Sequence, residues 1–480
     1  MSHFKIFPTC LFIFVLSMFG NAMETDPLHS SLNTLIQHPK LSGSIIGISV
    51  LDSDKKSLFQ HQENFLMIPA STLKVITTFV ALDQLGEQFK YETLIGYEGT
   101  IDRSGTLNGN LWIVGSGDPS LASPRDEIGY SMDEVFEMVY AALLKNNISC
   151  IEGELIFYTG RFDHEVVDYS WPWSDVGNYY GGGVSGINFR ENEYDISFNT
   201  TGKLKENATI NSVYPEVPGL KIDSRVQIDK RGTGDNAYIF GGPENLSKII
   251  RGTLPQGFSD FKIKGALPNS AEFFAHHFTT YLNKKGYGFS EYSITSSTPP
   301  PLNIIRKIES PTLKKLVTIA NEKSINLYCE AFLKTLSPAG NREKSISIIN
   351  KLLLQYKLDT LGLSMKDGSG LSPRNYVSPS FFTAFLHRYK EKWGIIKSSS
   401  LLPRVSYNGT VKGLLRKSPA EGSAHLKSGY IGGVLTYVGY MKNKKGKWFS
   451  VAFMVNQFRC KTAEVRSILE QIIEEIYISS

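Results

Sequence analysis

The sequence predicts a mixed α/β protein whose first and last portions form one domain around a long β-rich insert. Three observations carry this. Near the N-terminus a strand pair is followed by an amphipathic helical run. From about residue 96 to about 295 the chain breaks into many short β-like runs separated by Gly, Asn and Pro. Helical patterns, a hairpin and a last amphipathic helix then return. At 480 residues the chain exceeds one ordinary core, which fits two or three domains. Apolar residues make up 41% and charged residues 20%, which excludes a disordered or fibrous chain. The formal net charge of +5 suits an anionic polymer or membrane surface but is too small to argue for nucleic acid.

Residues 1–22 read as a cleaved secretory signal. Lys5 precedes the apolar stretch CLFIFVLSMF, and Gly20 and Ala22 supply small residues where a signal peptidase inspects the chain. A membrane anchor is the alternative, but the stretch is short for a span and polar residues follow it, so membrane association is at most peripheral. Without the signal, Cys150, Cys329 and Cys460 remain, an odd and sparse set that argues against a disulfide framework or a zinc site.

In chain order, GSIIGISVLDSDKKSLFQHQ reads as two strands around a polar turn at Asp52–Lys56. In the helix that follows, Leu73, Ile76, Phe79, Val80 and Leu82 fall at helical spacing. The expected division is 23–95 with 296–480 as one discontinuous domain, and 96–295 as an inserted module of two subdomains. Within the insert, GGGVSG matches Gly-x-Gly-x-x-Gly but follows no strand, so it reads as a flexible loop. The aromatic stretch 168–180 reads as a loop anchored on the insert's core. After the insert come two helices with a bend after Asn321-Glu322-Lys323, then a hairpin with the basic turn KNKKGK. A final helix carries Ile468, Leu469, Ile472, Ile473 and Ile476 on one face.

Three short elements carry chemistry. In PASTLKVITT, Ser71 could cap the helix, but a capping box wants Glu or Gln three residues later. Lys74 stands there instead, where the positive end of the helix dipole disfavours a charged lysine and favours the neutral amine. One turn of helix brings that amine beside the serine hydroxyl, so Lys74 can serve as the base for Ser71. A lysine extended into solvent is the competing explanation, and Ser53-Asp-Lys-Lys56 shows how weak the spacing is alone. Ser324 and Asn326 lie near the helical bend, either as a polar helix end or as a proton-relaying hydroxyl and an amide that orients lysine and substrate. Lys427-Ser428-Gly429 begins a strand: either an edge lysine that discourages aggregation, or a carboxylate-binding charge, a hydroxyl and a close-approach glycine.

Together these elements occur in the order found in penicillin-binding proteins and β-lactamases. With GSGDPSL, SINLYCE, DGSGLSPRNYVSP and KSGYIGGVLTYVGY, the mature chain resembles the class C low-molecular-mass penicillin-binding proteins, the D-alanyl-D-alanine carboxypeptidase/endopeptidase family. The resemblance implies an antiparallel sheet between helices, interrupted by β-rich inserts, and a periplasmic enzyme acting on peptidoglycan stem peptides without metal or cofactor. It makes Ser71 the acylated nucleophile, Lys74 its proton acceptor and Ser324 a relay. Asn326, Lys427, Ser428, Gly429 and Tyr430 bind substrate, with the backbone N–H groups of Ser71 and Tyr430 as oxyanion hole. β-Lactams are the implied inhibitors. Ser428 stands where Thr is usual, Ile325 where Asp is frequent, and Tyr430 where a small hydroxyl residue is usual, which bears on preference for a free terminal carboxylate. A β-lactamase and a non-catalytic wall-binding or drug-sensing relative are the alternatives; the long insert argues against the first and the intact polar set against the second.

Overall fold

Alternation along the last two strands explains the central layer of the terminal portions. In the computed structural model, which describes residues 27–479, Leu435, Tyr437 and Met441 of strand Val434–Lys442 join one apolar cluster. Val438 and Tyr440, pointing the other way, join a second. The neighbouring strand Trp448–Asn456 divides likewise, Val451, Phe453 and Val455 against Ala452 and Met454. A sheet apolar on both faces must be covered on both. Helix Pro379–Trp393 lies on one side with Phe385 and Leu386 inward. Helix Thr462–Ser479 lies on the other, its four expected isoleucines and one leucine fully or almost fully buried, beside helix Pro27–Ile36.

The sheet is antiparallel throughout, in the order Ala424–Ile431, Val434–Lys442, Trp448–Asn456, Ile45–Leu51, Ser57–His61. Ile45–Leu51 pairs with Trp448–Asn456 from Ile45↔Asn456 to Leu51↔Ser450, so the two ends of the chain share one sheet. Helix Lys74–Leu85 is buried on nearly every side, packing against helices Leu313–Lys323 and Asn326–Thr335. Lys427 lies inside strand Ala424–Ile431, not at its start as the sequence suggested. The 1–22 segment lies outside the described residues.

The region between is wider and more helical than its composition indicates. A mixed sheet runs in the order Tyr292–Thr295, Leu155–Tyr158, Leu111–Val114, Glu92–Tyr97, Asn303–Glu309. Its pairing therefore reaches from Glu92 to Glu309, beyond 96–295 at both ends. Helices Met132–Lys145 and Ser270–Lys284 pack in the same core, where Phe189 and Phe274 stack at 4.3 Å and Phe136 lies 5.8 Å from Phe189. Both helices had start signals. Ser131 and Glu134 form a capping box, and Asn269 caps the second through Ala271 and Glu272. Among the described residues three three-stranded sheets complete this part: Thr209–Tyr214, Glu193–Asn199, Phe261–Ala266; Lys221–Asp229, Ser247–Pro255, Tyr238–Phe240; and the short Thr100–Ile101, Thr106–Asn108, Cys150–Ile151.

Candidate active site

Ser71 sits in a 3-10 turn, Ala70–Leu73, that runs directly into helix Lys74–Leu85, and no side chain caps either start. The capping explanation for Ser71 therefore fails. So does the solvent-extended lysine, because Lys74 is fully buried. Its Nζ lies 2.9 Å from Ser71 Oγ, 2.6 Å from Asn326 Oδ1 and 2.6 Å from the Ser369 carbonyl oxygen. The last two partners can only accept. Asn326 is oriented by its other end, since Nδ2 donates to the Tyr180 carbonyl at 2.7 Å and leaves Oδ1 facing the lysine. A neutral Lys74 has two N–H groups for these two acceptors and one lone pair left for the Ser71 hydroxyl. Burial lowers the Lys74 pKa below its ordinary value, opposed by Cys329, Asp367 and Glu330, so the site favours that neutral amine.

The second and third elements close on the first. Ser324 ends helix Leu313–Lys323 in the left-handed region at φ 60°, a conformation costly for a residue with a Cβ, before helix Asn326–Thr335 begins. It is thus both a helix end and a site residue. Lys427 Nζ donates to Ser324 Oγ at 3.0 Å and to the Ser428 carbonyl at 2.7 Å. Its strand is indeed at the sheet edge, but Lys427 is fully buried, which removes the aggregation-blocking explanation. Burial, joined by the nearby Lys74 charge, pushes the Lys427 pKa well down. A Cβ on Gly429 would fall 2.5 Å from the Pro69 carbonyl oxygen and 3.0 Å from Ser71 N, so only glycine lets this strand lie against the serine turn. Ser428 Oγ is 2.6 Å from Thr410 Oγ1, and the Tyr430 ring is exposed.

Several neighbours escaped sequence reasoning. The aromatic loop is anchored on both sides: on the intervening region, as expected, where Asn178 Oδ1 accepts from the Ile239 N–H at 3.1 Å, and across the site. Trp171 Nε1 donates to Asp367 Oδ2 at 2.9 Å, and the Ser170 and Ser372 hydroxyls meet at 2.6 Å, while Tyr169 and Trp173 are exposed. GGGVSG is likewise packed, with Gly181, Gly182 and Gly186 buried. Asp367 also accepts from the backbone of Gly370 and Ser372 and from Asn375 Nδ2, at 2.7, 2.6 and 2.8 Å, which shapes the turn that presents the Ser369 carbonyl. Gly370, at φ +82°, passes so close to Ala70 that a Cβ would come within 1.9 Å of its carbonyl oxygen. Backbone carbonyls such as those of Tyr180 and Ser369 leave no residue-type signature; only the Asp-Gly-Ser-Gly block marked this turn in the sequence.

The profile of the D-Ala-D-Ala carboxypeptidase 3 (S13) family matches residues 28–475, nearly the whole chain. The chain belongs to the D-Ala-D-Ala carboxypeptidase 3 (S13) family. The D-alanyl-D-alanine carboxypeptidase DacB of Haemophilus influenzae is 23% identical over 444 residues, covering 90% of each chain. The D-alanyl-D-alanine carboxypeptidase of an Actinomadura species is 24% identical over 450 residues, covering 88% of this chain and 79% of the relative. The crystal structure of Haemophilus influenzae penicillin binding protein 4 superposes with a TM-score of 0.78 at 23% identity, covering 93% of this chain and 98% of that one. The S13 fold is therefore shared, and the polar cluster around Ser71 sits in it. Among the described residues no helix is long and apolar enough to cross a membrane.

Proposed function

We propose that this S13 protein is a serine DD-peptidase that cleaves D-Ala-D-Ala termini, D-Ala–diamino acid cross-links, or both, in peptidoglycan through an acyl-enzyme on Ser71. The observation that carries the reading is the buried Lys74 amine, with two acceptors for its N–H groups and its remaining position toward Ser71 Oγ. Ser71 Oγ attacks the carbonyl carbon of the penultimate D-residue while its proton passes to Lys74. The oxyanion is met by the backbone N–H groups of Ser71 and Tyr430. Ser324, hydrogen-bonded by Lys427, relays the proton from Lys74 to the departing amine; water then attacks the ester, its proton passing through Lys74 back to Ser71 Oγ as the acid is released. Lys427 and Ser428 receive the substrate's terminal carboxylate. Asn326 keeps one further N–H and one further lone pair for the substrate amide.

β-Lactams acylate the same hydroxyl. The basis for export to the periplasm is the 1–22 segment, and processing at its end is checked by N-terminal sequencing of the secreted protein. The terminal portions form the catalytic unit in this reading, and the intervening region shapes the cleft through Tyr180 and Trp171. Purified pentapeptide and cross-linked muropeptides test the function. Release of D-Ala or opening of cross-links that disappears in Ser71→Ala supports it. No hydrolysis of either substrate, or full activity of S71A, overturns it.

A further inference from the structure

One buried carboxylate beside the reacting groups has no part in the steps above. Glu330 follows Asn326 by one helical turn on Asn326–Thr335 and is fully buried. Its Oε1 accepts from the backbone N–H of Gly368 at 2.9 Å and of Ser369 at 2.8 Å. The carbonyl of that same Ser369 accepts from Lys74 at 2.6 Å. A single carboxylate thus grips the turn whose next oxygen holds the amine.

We infer that Glu330 is a positioning residue for Lys74: its two backbone hydrogen bonds fix the Ser369 carbonyl, and its charge sets how readily Lys74 accepts the Ser71 proton. The inference rests on Ser71 being the nucleophile and Lys74 its base. The charged and titratable groups facing Glu330 come from every element around it. Asp367 stands on the turn, Arg342 on helix Arg342–Gln355, Lys74 on its own helix, and Cys329 and Lys334 on the helix of Glu330. Arg342 Nε is 3.6 Å from Glu330 Oε2, too far for a hydrogen bond, and its NH1 also lies 3.9 Å from Glu165 and from Asp168. Among the described residues neither Oε2 nor the Arg342 guanidinium has a hydrogen-bond partner. Glu330 is therefore incompletely neutralised. Burial first, then the Asp367 carboxylate, push its pKa up to about 7, with Arg342 opposing. A negative Glu330 favours the charged ammonium of Lys74; a neutral one favours the free amine.

The two functions separate in two substitutions. Glu330→Gln keeps an acceptor oxygen for Gly368 and Ser369 but removes the charge; Glu330→Ala removes both. Acylation of Ser71 by a fluorescent penicillin, followed across pH with the adduct mapped to its residue, reads the outcome. In E330Q the rising limb of the acylation rate moves to lower pH by about half a unit or more, because Lys74 loses a neighbouring negative charge. In E330A acylation slows about tenfold or more, and with a D-Ala-D-Ala peptide the loss falls on kcat and not on KM. Should E330A fail to fold, as judged by circular dichroism, the E330Q profile decides alone. An E330Q profile that coincides with the parent's overturns the inference, as does a folded E330A that acylates at the parent's rate. Failure of the parent to label at Ser71 is a different result and removes the underlying mechanism.

Discussion

Two of the segments of this chain that carry serine and lysine three residues apart, Ser53–Lys56 and Ser71–Lys74, share little else. Ser53 and Lys56 lie in the exposed turn between the first two strands, where Asp52 Oδ1 accepts from the backbone N–H of Asp54 and Lys56, each at 2.9 Å. Ser71 and Lys74 straddle the junction of a 3-10 turn and a buried helix, roofed by an edge strand, the Asn326 amide and the Ser369 carbonyl. In the turn, the lysine is exposed and has no buried acceptor to hold it. In the helix, burial and two obligate acceptors turn the same side chain toward its neutral form. The spacing places two groups within reach; the surroundings decide whether one can act as base for the other.

The sharpest way to break this contrast is Lys74→Ala, which is expected to slow acylation of Ser71 by about 10²–10⁴-fold in a protein that remains folded by circular dichroism. The parent's pH dependence follows with a definite sign. The base is the deprotonated amine, present above the folded-state pKa of Lys74. Since burial lowers that pKa, acylation reaches its plateau at a pH below the ordinary lysine value of about 10.4.

Lys427→Ala comes next. In the proposed mechanism it removes the Nζ donor to the substrate carboxylate, so KM for peptides with a free D-Ala terminus should rise about 10–100-fold, the scale of a hydrogen bond to a charged group. Equal effects on substrates with and without a terminal carboxylate would count against that role. Trp171→Phe keeps the ring and deletes the donor to Asp367, with an expected loss of about 1–2 kcal/mol in urea unfolding and a several-fold slower acylation. At the small end, Ser53→Ala with Lys56→Ala should change stability by no more than about 0.5 kcal/mol and leave acylation unchanged.

What the sequence makes legible divides along the same physical line. The terminal helix, the last hairpin and the Lys74–Leu85 helix are readable because burial of one or two faces imposes a period on the residue types. The site residues were readable because serine, lysine and asparagine carry chemistry at fixed local spacing. Their closure was not, since the Lys74–Asn326 contact joins residues far apart in the chain through a fold no local pattern records. The Tyr180 and Ser369 carbonyls were invisible because any residue supplies one. Trp171 was misread for a related reason: an aromatic loop announces that it will be anchored, not on what. The two helices of the intervening region were missed because dense turn residues around them outweighed their N-terminal caps.

The central claim is that Ser71, and not another hydroxyl, is the group that Lys74 activates. Incubating the folded protein with a fluorescent penicillin, digesting it and locating the adduct by mass spectrometry tests this directly. The account predicts one stable adduct, on the peptide containing Ser71, absent from S71A and strongly reduced in K74A. An adduct on Ser53 or Ser324, or folded protein that takes no label, would contradict it.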